Sequence, residues 1–262
     1  MKRAEVKALG RVWVLTGKEL NQLRVVLWVG TAVTLVFGLM VPYVYRFVVP
    51  MLPSPEMLRG FLGDILRQQL ASYRSYLWTN WYGKNLLQNL TVIGIIVGMG
   101  AIAGERAKGS LSFLFTLPVS RCAVVAAKAG AASLVLACCT VVPTVAMWAA
   151  SQSLSGYAVA SDFLLGMPLA WAGAVAVTAL SMLVSVFTDD LVKAGIGAVG
   201  ACLLAALPGW FQSTRQFSIF WHMRGMPLLA GAPFPWSSLA PLLAVAAVSL
   251  WMTAFAVKRR DF

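Results

Sequence analysis

Charge is what this sequence has least of: 11% of its residues are Asp, Glu, Lys or Arg, where a soluble domain carries about 25%. A soluble fold has no means of hiding what stands in their place. Only nine residues are acidic and one is histidine, His222. That leaves no cluster of His and carboxylates from which a metalloprotease builds its zinc site. The four cysteines, Cys122, Cys138, Cys139 and Cys202, lie in or beside apolar runs without C-x-x-C spacing, which excludes a disulfide framework and a zinc knuckle. A nucleotide site is missing as well: Gly104 to Ser110 has the spacing G-x-x-x-x-G-S but lacks the lysine that reaches the β and γ phosphates. No acid stands within an apolar run, which argues against a carrier driven by protons or sodium, since such carriers place ionisable relays in the membrane.

What is present is apolar. Hydrophobic residues make up 60% of the chain, with a mean hydropathy of +0.79. They are gathered into six runs free of charge: Val25 to Tyr45, Leu86 to Gly104, Ala129 to Ser161, Phe163 to Thr188, Ala194 to Thr214, and Gly225 to Val257. Each approaches or exceeds the roughly 20 residues with which a helix crosses a hydrocarbon core. Membrane strands would alternate apolar and polar residues, whereas these runs are apolar on every face. The expected fold is therefore all-α, a polytopic integral membrane protein of six transmembrane helices. The third run is trimmed to about residue 150 at a polar stretch, and the sixth begins near 239 because Pro227, Pro233, Pro235 and Pro241 crowd its start. The expected organisation is an interfacial segment 1–24, one domain 25–257 with spans at about 25–45, 86–104, 129–150, 163–188, 194–214 and 239–257, and a basic tail 258–262.

Basic residues set the orientation, because short cytoplasmic segments carry the excess of Lys and Arg. With the N-terminus inside, fourteen lie on the cytoplasmic side and seven outside. The expected location is the cell (inner or plasma) membrane, multi-pass, with both termini cytoplasmic. The first run, long and preceded by a charged segment, reads as a signal anchor rather than a cleaved leader. The net charge of +12 is explained by topology and contact with anionic lipid rather than by nucleic acid.

Two segments outside the spans have helical apolar spacing. Val6, Leu9, Trp13, Leu20 and Leu23 share one face at the N-terminus, with Lys7, Arg11 and Lys18 on another, as in a helix lying in the membrane interface. On the outer side, Leu58, Phe61, Leu62, Ile65, Leu66, Leu70, Tyr73 and Leu77 recur at steps of three and four and run into Trp78 and Trp81. That spacing predicts an external amphipathic helix on the outer leaflet or over a pathway exit. Phe217, Ile219, Phe220 and Trp221, followed by prolines, suit a partly re-entrant pair of helices.

The most informative stretch is Gly104 to Arg121, GERAKGSLSFLFTLPVSR. It exceeds the 2 to 8 residues that usually join antiparallel helices and is too apolar for a free loop. Leu111, Leu114 and Phe115 fall on one side of a short helix that Pro118 ends; Phe113 and Leu117 fall on another. One apolar side can face lipid, and the other calls for a protein partner. Glu105, Arg106, Lys108 and Arg121 supply charges at the rim, the anatomy of a docking patch.

These residues resemble a known family. The run Ile102, Ala103, Gly104, Glu105, Arg106, then Gly109, Ser110, Leu111, then Leu117, Pro118, Val119, Ser120, Arg121 and finally Lys128 is similar to the cytoplasmic loop of type 2 ABC transporter permeases. The six spans, the N-terminal interfacial helix and the basic tail are similar too. Where that family commonly has an acidic residue after the Gly-Ser-Leu step, this chain has Ser112.

The resemblance implies a coupling helix in the loop, docked in a cleft of a separate ABC ATPase subunit. Its expected coupling residues are Glu105, Arg106, Gly109, Leu111, Leu114, Phe115, Pro118 and Arg121. It also implies two ATPase copies, or a pair, that carry the ATP and Mg, and a second permease, identical or homologous, that completes the pathway. On this chain the expectation is no catalytic residue, no cofactor and no metal. The function so implied is that of an ATP-driven permease, an exporter of an apolar or amphipathic substrate. A membrane scaffold or sensor that docks an ATPase, and an ion-coupled carrier, remain as alternatives.

Overall fold

The computed structural model describes residues 13–51, 70–109, 120–154 and 159–259. Among the described residues six helices are long and apolar enough to cross a membrane: Arg24–Met51, Tyr73–Ala107, Arg121–Ser153, Ser161–Val186, Leu191–Trp210 and Trp236–Arg259. No strand occurs among the described residues. In lipid a helix satisfies its own backbone, and the hydroxyls of these spans follow the same rule. Thr34, Thr91, Thr140, Thr144, Thr178, Ser181 and Thr253 each donate to the carbonyl four residues earlier, at 2.6 to 2.9 Å.

The fourth helix is the centre of the bundle: 72% of its most apolar stretch is buried, against 17% for the fifth helix and 28% for the first and sixth. The cause lies in its side chains. Ala170, Ala172, Gly173, Ala174, Ala176, Ala179, Ser181 and Ser185 are small and buried on all sides, so neighbouring backbones approach closely. The second helix answers with Gly94 and Gly98. A Cβ on Gly98 would stand 2.6 Å from the Thr178 carbonyl oxygen and 3.0 Å from the Met182 nitrogen. The first of the two G-x-x-x-G steps thus serves packing within the chain. In the second step, Gly100 has open space around it and Gly104 meets only Leu191, at 3.8 Å. Gly98→Ala is expected to force the second and fourth helices apart and lower stability by about 1 to 3 kcal/mol, while Gly100→Ala leaves it unchanged or higher. Thermal unfolding in detergent separates the two, and equal midpoints would remove the close contact from the account.

The second helix begins at Tyr73 rather than near Leu86, which corrects part of the external helix expected over 55–81. The stretch 73–81 is continuous with the second long helix. Leu77, Trp78, Trp81 and Tyr82 are buried inside the protein instead of resting on a leaflet. The rings of Trp78, Tyr82 and Phe163 pack with centroids 4.8 to 5.3 Å apart, and each polar edge finds a partner. Trp78 Nε1 donates to the Arg224 carbonyl at 2.8 Å, Trp81 Nε1 to Thr144 Oγ1 at 3.0 Å, and the Tyr82 hydroxyl to the Phe163 carbonyl at 3.0 Å. Leu58 through Leu66 lie outside the described residues. The sixth helix starts at Trp236 and keeps Pro241 in its second turn, where its missing N–H frees only the carbonyl of the first turn.

Between the fifth and sixth helices the chain forms two short helices, Ile219–Met223 and Met226–Leu229, joined at Gly225 with φ +58°. A side chain is strained there, and a Cβ would also meet Leu169 at 3.1 Å and Trp78 at 3.3 Å. Ile219 and Met223 are buried with Ala172 and Val177 of the fourth helix, Cys202 of the fifth and Leu242 of the sixth. Met223 lies directly over Gly173. The segment dips between three spans and returns to the end of the bundle from which it came.

Candidate functional site

The segment 104–121 leaves the second helix and enters the third at the end of the bundle that holds Glu19 and Val257. Its exit is set by glycine chemistry. The Gly109 N–H donates to the Arg106 carbonyl at 2.9 Å with φ +69°, a left-handed helix end that glycine adopts without penalty. Its return is set by a cap: Ser120 Oγ accepts from the Ala123 N–H at 3.2 Å. Gly109 and Ser120 thus punctuate the motif for backbone reasons. Leu111, Leu114, Phe115 and Pro118 fall outside the described residues.

The charged residues at the two ends of the segment are bonded to separate parts of the bundle. Glu105 turns inward. Its carboxylate lies 3.2 Å from Lys128 Nζ, and Lys128 also meets Glu19 of the N-terminal helix at 2.8 Å. Lys128 is 5% exposed, Glu19 5% and Glu105 6%, so one ammonium and two carboxylates are withdrawn from water together. Desolvating each ion costs several kcal/mol, and only close, complementary geometry offsets that. A cavity of about 160 Å³ borders the group, reached by Gln22, Val26, Val97 and Lys108.

The other two charges reach other elements. Arg106 donates to the Thr188 carbonyl at 3.0 Å and pairs with Asp189 in the turn between the fourth and fifth helices. Asp189 is 82% exposed, which makes the pair a weak, screened one. Its neighbour Asp190 caps the fifth helix, accepting from the Lys193 N–H at 2.9 Å. Arg121 donates to the Val257 carbonyl at 2.8 Å, in the last turn of the sixth helix, where a cation meets the negative end of the peptide dipoles.

Of the charges expected at a docking rim, Glu105 instead faces the interior, and Arg106 and Arg121 spend bonds on the bundle. Sequence spacing alone does not single out Glu19; its signal is an acid between Lys18 and Leu20 in the N-terminal segment. Residues 13–22 are helical, with Leu15, Thr16 and Glu19 buried against the bundle and Trp13 and Lys18 outward. The N-terminal helix is therefore fastened to the segment's frame rather than merely resting beside it. Among the described residues no group of three or more His, Cys, Asp or Glu is placed to hold a metal ion.

Residues 86–211 match the family described as ABC-2 family transporter protein. The matched stretch runs from the second helix through the segment 104–121 to the end of the fifth. No curated protein matches the chain. Six apolar helices and this match, which covers just under half of the chain, agree with the resemblance carried by the segment between the second and third spans and support an ABC-2 type membrane permease.

Proposed function

We propose that this permease is driven by ATP hydrolysed on a separate ABC ATPase subunit, docked on the segment 104–121, and that it exports an apolar or amphipathic substrate across the cell membrane. The observation that supports this most is the wiring of the segment's two ends. Glu105 holds Lys128 and the N-terminal helix, Arg106 the turn between the fourth and fifth helices, and Arg121 the end of the sixth. A push on the segment is thereby passed to most of the bundle at one end, as a coupling device requires. In this reading Leu111, Leu114 and Phe115 form the knob, Pro118 fixes its angle, and Arg106 and Arg121 carry the frame that Glu105 anchors from within.

Both termini are cytoplasmic in this proposal, on the fourteen-to-seven distribution of basic residues. Two ATPases, identical or paired, bind the ATP and Mg. A second permease, identical or homologous, completes the pathway. Affinity purification of the tagged chain from its own membrane tests the proposal. The expected result is an ABC ATPase in stoichiometric amount whose hydrolysis responds to membrane reconstitution. A stable complex lacking any such ATPase sinks the coupling reading and favours a scaffold.

A further inference from the structure

At the end of the bundle opposite Glu105 and Lys128, a groove of about 650 Å³ opens between the start of the second helix and the short helices that precede the sixth. Its polar wall is a stripe on one helix: Ser75, Thr79, Lys84 and Gln88. The steps are four, five and four residues, and the step of five coincides with the π-helical turn Trp81–Asn85. In a regular α-helix five residues rotate by about 140°, so Lys84 would point away from Thr79. The wider turn returns it to the same line, and such turns recur at functional sites.

The facing wall brings a second cation, Arg224, with Met226 and Leu229 as apolar neighbours. Lys84 and Arg224 are both exposed, and neither has a carboxylate partner among the described residues. The second helix holds the facing wall in place. The Arg224 carbonyl accepts from Trp78 Nε1 at 2.8 Å, and Arg74 donates to the Leu228 carbonyl at 2.9 Å while pairing with Asp162 at 2.7 Å. Gly83 leaves the floor open, since a Cβ there would meet nothing closer than 3.9 Å. A lone lysine near a span end is adequately explained by reaching for headgroups. Two like charges lining one groove, with hydroxyls and an amide along its wall and an apolar side, are better explained by a ligand that is anionic at one end and apolar at the other.

We propose that this groove binds the phosphate or carboxylate head of an amphiphile, with Lys84 and Arg224 as its charge partners, Ser75, Thr79 and Gln88 as hydrogen-bonding groups, and its tail against Met226 and Leu229. It deepens the export reading, on which it rests for its purpose, by giving the amphipathic substrate an anionic head. Binding itself is measured without ATP or ATPase.

The test titrates the purified full chain in dodecyl maltoside with dodecyl phosphate, dodecylphosphocholine and inorganic phosphate. Dodecyl phosphate is expected to saturate, with the zwitterion and the free ion weaker by about tenfold or more. Lys84→Gln with Arg224→Gln is expected to weaken dodecyl phosphate by roughly tenfold or more, while Lys84→Arg with Arg224→Lys largely keeps it. Gly83→Leu, which fills the floor and leaves both charges, is expected to weaken it too. Equal affinity in wild type and the double glutamine variant, at unchanged folding by gel filtration, overturns the proposal. So does inorganic phosphate binding as tightly as the amphiphile. A chain that binds as expected but recovers no ATPase keeps this site and loses the export reading.

Discussion

Lys128→Met is expected to be among the most damaging single changes in the bundle, costing about 3 to 5 kcal/mol and lowering the thermal midpoint of the purified chain sharply. The methionine fills similar space, so the loss arises from charge. Glu19 and Glu105 remain buried, within reach of the same point, with no cation between them. Glu19→Gln is expected to cost less, about 1 to 3 kcal/mol, because Lys128 keeps Glu105. Neutralising all three together, with Glu19→Gln and Glu105→Gln added to Lys128→Met, is expected to recover most of the stability, since apolar or neutral replacements of a buried ionic group are often tolerated. Thermal unfolding of the four proteins, read as a cycle, decides the matter. A midpoint for Lys128→Met equal to that of wild type, or a triple variant no better than the single one, refutes the shared-ammonium arrangement.

That group explains why part of this molecule was legible from sequence and part was not. The spans are local events, each a run of apolar residues long enough for lipid, and the first, fourth and fifth begin within three residues of where those runs do. The second escaped because its first turns, from Tyr73, are buried by other protein elements rather than by lipid. Arg74 pairs there with Asp162 and Asn80 donates to the Tyr76 carbonyl, while Lys84, on which the run breaks, is exposed. The same reason separates the periodicity of Tyr73 and Leu77 from its meaning: spacing shows that a face is apolar, never what covers it. Glu19 and Lys128 are 109 residues apart, so no window along the chain contains their pairing. The frame around the segment 104–121 was visible only as a motif. Gly109 and Ser120 could have been derived from helix-end chemistry alone, and Lys128 appeared as the motif's last basic residue, but the inward turn of Glu105 needed the three-dimensional arrangement.

Leu114→Asp combined with Phe115→Asp is expected to abolish substrate-dependent ATP hydrolysis while leaving the bundle folded. It is therefore the counterpart of Lys128→Met, which removes stability first. The two residues belong to the apolar side of the segment 104–121, between the anchored ends at Gly109 and Ser120. The bonds described for those ends run from Glu105 to Lys128, from Arg106 to the Thr188 carbonyl and from Arg121 to the Val257 carbonyl. A carboxylate carried into an apolar cleft of the ATPase must be desolvated without a partner, and even a modest penalty of about 3 kcal/mol weakens docking by roughly a hundredfold. Two such groups are expected to leave the ATPase at its unstimulated rate and absent from the purified complex. The permease variant itself should elute and unfold as wild type does. Glu105→Gln is a useful contrast, since it loosens the frame behind the segment and is expected to reduce stimulation while ATPase binding persists. If the double aspartate variant still recovers the ATPase and still transports, the segment is not the docking element, and the wiring of its ends serves stability alone.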